Sequence, residues 1–132
     1  MTYCVGLLLN RGLVFMSDTR TNSGIDNVSV FRKMTTWRQP GERLITMLTA
    51  GNLATTQAVV SQLDERWKTP AERMPSLLEA PTMYQAARLV GETLRGAINQ
   101  NAMSGQAASS VFNATIILGG KIKGMPPRLF LI

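Results

Sequence analysis

Histidine is absent from the 132 residues, and cysteine occurs once, as Cys4. The first absence removes Ser–His and Cys–His catalysis and any metal site built on imidazole. A hydrolase on this chain must take its base from an amine or a carboxylate. A single cysteine excludes an internal disulfide and fits a reducing compartment, so the expected location is cytoplasmic. No apolar run approaches the ~20 residues that span a bilayer, and no basic stretch leads into an apolar one as a secretory signal does. The expectation is no membrane partner.

Acidic residues are also few: 8 Asp and Glu stand against 14 Lys and Arg, a formal net charge of +6. That balance raises nucleic acid as a partner. The cations are scattered, however, from Arg11 and Arg32-Lys33 through Arg43, Arg66 and Arg88 to Lys121. Aromatics make up only 6% and do not alternate with them as a stacking platform requires. A solvated cationic surface accounts for the charge, and no nucleic-acid partner is expected.

What remains is a globular composition, 45% hydrophobic and 17% charged, of a length that suits one domain. Residues 3–9 and 13–16 are apolar and flank Asn10-Arg11-Gly12, the pattern of a β-hairpin. Both runs are apolar at nearly every position, as in a sheet covered on both faces. Residues 19–24 read as a loop and 28–37 as a third strand, with Lys33 on the face of Phe31. After Gln39-Pro40-Gly41-Glu42 a fourth strand follows over 44–48. At Asn52, a credible N-cap, the period changes to 3.6: Leu53, Ala54, Gln57, Val60, Leu63 and Trp67 predict a helix ending before Pro70. Thr82-Met83-Tyr84-Gln85 has the form of a capping box and opens a second helix along Met83, Ala86, Ala87, Val90, Leu94 and Ile98. Residues 99–110 read as a loop, 111–118 as a strand, 119–124 as a turn and 128–132 as the start of another strand. Strands, two helices and strands again make an α+β layout with the helices on one face.

The candidate chemistry gathers near the beginning. Trimming of Met1 ahead of a small residue would leave Thr2 with a free α-amine and a β-hydroxyl. An α-amine titrates near ~8 in short peptides, which suits a general base for the adjacent hydroxyl. Lys33 beside that amine would favour its neutral form and stabilise negative charge growing on the hydroxyl. Asp18, closing the second apolar run, would pair with Lys33 and aim it. Gly51, where a strand gives way to a helix, offers an unobstructed N–H for an oxyanion. Taken singly, each residue also has an ordinary structural role: strand propensity for the threonine, a turn for the aspartate, edge protection for the lysine, capping for the glycine.

In combination the motifs are more specific. Thr2, the run Gly12-Leu13-Val14-Phe15-Met16-Ser17-Asp18-Thr19-Arg20, Arg32-Lys33 and Thr49-Ala50-Gly51-Asn52-Leu53-Ala54 resemble the opening half of a proteasome β-type subunit. Within that family, Tyr3-Cys4-Val5-Gly6, Asp18-Thr19-Arg20-Thr21-Asn22 and Gly119-Gly120-Lys121-Ile122-Lys123-Gly124 with Pro126-Pro127-Arg128-Leu129-Phe130 are most similar to the bacterial Anbu, or ancestral β-subunit, group. The resemblance implies an N-terminal-nucleophile hydrolase with an αββα four-layer sandwich, of which residues 1–132 form a single domain lacking its C-terminal half. It implies a cytoplasmic threonine peptidase: Thr2 as nucleophile and, through its amine, base; Lys33 tuning it; Asp18 supporting Lys33; Gly51 as oxyanion donor. Thr21, Asn22, Phe31, Thr49 and Leu53 would contact an extended peptide or unfolded-protein substrate, with Leu53 standing where a smaller residue is common. No metal and no cofactor are implied, and the partners are further copies in a homo-oligomeric ring or spiral, with any unfoldase unknown. A catalytically incompetent subunit acting in assembly is the alternative, because the family's bracing serine and second aspartate have no counterpart in this sequence. A nucleic-acid-binding domain is the third reading and rests on charge alone.

Overall fold

The computed structural model describes residues 1–22, 28–68, 76–101 and 111–132. Strand β1 (Cys4–Leu9) and strand β2 (Gly12–Ser17) form an antiparallel hairpin, with Cys4 opposite Ser17 and Leu9 opposite Gly12. Strands β3 (Arg20–Asn22) and β4 (Val28–Val30) make a second, short antiparallel pair. A four-stranded antiparallel sheet follows, in the order β5 (Met34–Gln39), β6 (Arg43–Gly51), β7 (Ala114–Ile122), β8 (Arg128–Leu131). Between β6 and β7 the chain builds helices α1 (Leu53–Lys68) and α2 (Met83–Asn101).

The alternation of β6 and β7 explains how the layers stack. Ile45 and Met47 lie opposite Gly120 and Leu118, so they share a face with Ile116. All four of these apolar side chains are 0% exposed, packed with Val59 and Leu63 of α1 and Met83, Ala86 and Val90 of α2. The other parity turns toward the hairpin: Ile117 and Leu129 lie against Gly6, and Gly119 lies under Phe15. The result is an α+β stack of helices, sheet and hairpin. On the outer face of the hairpin Leu7, Leu9, Val14 and Met16 are exposed, and among the described residues no helix packs over them. The covering of both hairpin faces expected from sequence is therefore met only on part of the inner face, around Gly6 and Phe15, since Leu8 on that face is also 52% exposed.

Several expected boundaries move, each for a local reason. The third strand is interrupted: β4 ends at Val30, β5 begins at Met34, and Phe31 to Lys33 lie between them. Phe31 N–H donates to Thr19 O at 2.7 Å and Thr49 N–H to Lys33 O at 3.0 Å, so two different neighbours claim this stretch. Arg20 to Asn22, expected in a loop, pair as β3. The fourth strand runs to Gly51, beyond the expected end at Leu48. Gly119 to Ile122, expected to turn, continue β7. Their glycines answer to close approach rather than to a bend, because a Cβ at Gly119 would meet Phe15 Cζ at 2.6 Å and one at Gly120 would collide with the Leu44 carbonyl. The chain turns instead at Lys123 to Met125.

Both helix starts agree with their capping signals. Asn52 Oδ1 accepts from Thr55 N–H at 3.0 Å, and Thr82 Oγ1 from Gln85 N–H at 3.2 Å. The buried stripe of α1 differs from the one expected: Leu53 and Gln57 are exposed, while Thr55, Thr56, Val59 and Leu63 are buried. The two threonines tolerate burial because their hydroxyls donate to Phe112 O at 2.8 Å and Leu53 O at 3.0 Å. Among the described residues no helix is long and apolar enough to cross a membrane.

Candidate active site

The start of β1, the end of β2 and the flank of β6 converge at one end of the hairpin. Asp18, immediately after β2, grips the residue that follows Thr2 from both sides. Its Oδ1 accepts from Tyr3 N–H at 2.8 Å, and its own N–H donates to Tyr3 O at 3.0 Å. Its other oxygen, Oδ2, accepts from Lys33 Nζ at 2.7 Å, and Lys33 also donates to Arg20 O at 2.7 Å. Lys33 is 4% exposed, whereas about a third of the Asp18 side chain meets solvent (32%). A buried ammonium is costly unless paired and hydrogen-bonded, and both conditions hold. The Lys33 ion pair, and then the Tyr3 amide, pull the Asp18 carboxyl down to about 2 from its ordinary 3.8. Asp18 thus couples the backbone next to Thr2 with a buried lysine.

Gly51 closes β6 with φ near +114°, a conformation open to glycine and strained for other residues. A Cβ there would lie 2.7 Å from Asn113 O and 2.8 Å from Ala114 Cα, both backbone atoms that cannot swing aside. Asn52 next to it is pinned three ways: its N–H donates to Asn113 O at 3.1 Å, its Nδ2 to Val111 O at 3.3 Å, and its Oδ1 caps α1. The peptide between β6 and α1 is therefore held to the start of β7.

Thr2, Lys33 and Gly51 line one small pocket of about 40 Å³ together with Phe31, Thr49, Ala50, Leu53 and Thr56. Thr2, Lys33, Gly51, Phe31, Thr49 and Leu53, all singled out from sequence, meet there, and Asp18 stands behind Lys33. Phe31 and Lys33 reach it although no strand carries them. The side chains of Thr21 and Asn22 lie outside the described residues. The sequence reading missed Thr56, which follows Leu53 by one helical turn, an i, i+3 spacing that was available as a signal. It also missed Arg20 O and Asn113 O, backbone acceptors with no side-chain signature.

Cys4 is the other nucleophile nearby. Its thiol points to Thr49 O, 3.8 Å away. Burial, then the Asp18 charge, push its pKa up, with Lys33 opposing. Little thiolate is present near neutral pH, so Cys4 is a poor rival to a hydroxyl at this site. Among the described residues no group of His, Cys, Asp and Glu is arranged to hold a metal ion.

No protein-family model and no curated protein matches the chain. Solved structures do. A Gly-1 mutant of Anbu from Hyphomicrobium sp. strain MC1 aligns at 48% identity and TM-score 0.86, covering 100% of this chain and 52% of that one. Anbu, the ancestral β-subunit, from Yersinia bercovieri aligns at 45% identity and TM-score 0.88, again over 100% and 52%. The helical assembly of the Anbu complex from Pseudomonas aeruginosa aligns at 43% identity and TM-score 0.86, over 100% and 53%. The chain belongs to the Anbu family. It spans about half the length of these Anbu structures, and its α+β arrangement matches theirs. That agreement bears out the resemblance drawn from the Thr2, Asp18, Lys33 and Gly51 motifs. Anbu is a proteasome-like family, and hydrolysis is consistent with membership.

Proposed function

We propose that this chain provides the catalytic end of a proteasome-like threonine peptidase. After removal of Met1, the Thr2 amine takes the proton from the Thr2 hydroxyl as its oxygen adds to a substrate peptide carbonyl. The oxyanion accepts from the Gly51 N–H, while the Lys33 ammonium stabilises the charge passing through the nucleophilic oxygen. Collapse returns the proton to the departing amine and leaves an acyl ester on Thr2. Water, deprotonated by the same amine, then releases the carboxylic acid and frees the hydroxyl. No metal or cofactor enters these steps.

The observation that carries the reading is Lys33, buried, fixed to Asp18 and Arg20 O, and lining one pocket with Thr2 and Gly51. A lysine kept only for solubility has no reason to be there. Met1 is fully exposed and open to an aminopeptidase. An extended peptide or unfolded protein is the substrate class, bound beside β6. The helical assembly described for the Pseudomonas Anbu supports self-association of this chain into a ring or spiral. A purely assembling, non-catalytic role is the second reading, favoured by the exposed Leu7, Leu9, Val14 and Met16 face.

Intact mass spectrometry with a peptide boronate separates the two. Catalysis requires loss of Met1, one boronate bound per processed chain, and turnover that falls to background in Thr2→Ala. Hydrolysis that persists in Thr2→Ala eliminates the mechanism, and a retained Met1 with no adduct leaves the assembly role.

A further inference from the structure

The pocket beside Thr2 is small, and its walls suggest what it accepts. It offers about 40 Å³. A water needs on the order of 10–15 Å³ measured in this way, so the space holds about three non-hydrogen atoms. Thr49 and Thr56, both buried, line it from the protein side. The Thr56 hydroxyl donates to Leu53 O at 3.0 Å and pins the backbone from which the Leu53 side chain rises. Leu53 opens α1, and side chains on a helix lean toward its N-terminus, which here is the Gly51 end. It is 39% exposed and lines the pocket.

We infer that the residue contributing the attacked carbonyl carries a side chain of no more than about three non-hydrogen atoms, such as Ala, Ser, Thr or Val, and that Leu53 sets this limit. The inference rests on the peptidase reading above and adds its substrate class. A side chain the size of Leu or Phe must displace Leu53 or remain outside, where its carbonyl misses Thr2. Against the apolar Phe31, Ala50 and Leu53 walls each unaccommodated methylene costs about 10-fold or more.

The test uses processed protein beginning at Thr2 and four peptide boronates that differ only in the residue bearing boron: Ala, Val, Leu and Phe. The expected order places Ala and Val ahead of Leu and Phe by at least about 10-fold. In Leu53→Ala, an exposed helix position where alanine is well tolerated, the ratio of Ala to Leu binding shrinks by a similar factor. Equal binding of all four by the wild type overturns the size limit. An unchanged ratio in Leu53→Ala overturns the assignment to Leu53. Absence of any adduct overturns the peptidase reading, and with it this inference, whereas adducts of every size overturn the size limit alone.

Discussion

The two faces of the four-stranded sheet are built on different physics. On the helix side, Ile45, Met47, Ile116 and Leu118 are sealed from water against α1 and α2. On the hairpin side close approaches come where a glycine lets a neighbour in, Gly6 at Ile117 and Gly119 under Phe15, and the hairpin's outward face is exposed. Where apolar packing is thin, polar bonds take over: Asp18 to Tyr3 N–H, Asp18 to Lys33, Lys33 to Arg20 O. The helix side supplies stability by area. The hairpin side supplies position, and the candidate chemistry lies there.

That division predicts which substitutions damage what. The largest effect is expected from Lys33→Ala, which removes the buried ammonium beside Thr2: adduct formation with a peptide boronate should slow on the order of 10²–10³-fold. Asp18 keeps its bond to Tyr3 N–H and about a third of its side chain in water (32%), so the melting curve should move less than the rate does. Next, Met47→Ala on the helix side should cost about 2–5 kcal/mol in urea unfolding. Phe15→Ala on the hairpin side should cost roughly half as much, because Phe15 is only partly buried. Equal losses would erase the contrast between the faces.

The smallest effect concerns pH. The Asp18 carboxyl titrates at about 2 in the folded chain, below its ordinary 3.8. Its contribution to stability is therefore present above about pH 4 and is lost as the pH falls through about 2. Thermal melts of wild type and Asp18→Asn should differ at neutral pH and converge across that interval. A gap that persists to the lowest pH would mean that Asp18 acts through packing rather than charge.

Much of this was legible because it is local or periodic. The Asn10-Arg11-Gly12 turn between two apolar runs dictates a hairpin, and the spacing of Met83, Ala86, Val90 and Leu94 dictates α2. The failures have a common cause. Gly119-Gly120 read as a turn because glycine usually bends a chain, yet here it admits Phe15 and the Leu44 carbonyl to the flat of β7. The stretch 28–37 read as one strand because an alternation, though imperfect, runs its whole length. Bonds from Thr19 and Thr49 divide it, and neither is a neighbour in sequence. Thr55 and Thr56 fell outside the stripe expected for α1 because the carbonyls that satisfy them, one of them at Phe112, carry no side-chain signal.

The order of the residues alone limited which groups could act: with no histidine, the candidates were Thr2, Asp18, Lys33 and an N–H at Gly51. Side-chain type and spacing are written in the chain, and they restrict chemistry before any folding. Whether those groups meet was settled by folding, since Thr2, Lys33 and Gly51 come from three separate segments and share a pocket only because β6, β7 and the hairpin dock as they do. The volume of that pocket was likewise a matter of tertiary structure. It depends on where Thr49, Thr56 and Leu53 stop, and a distance between surfaces has no counterpart in a string of residues.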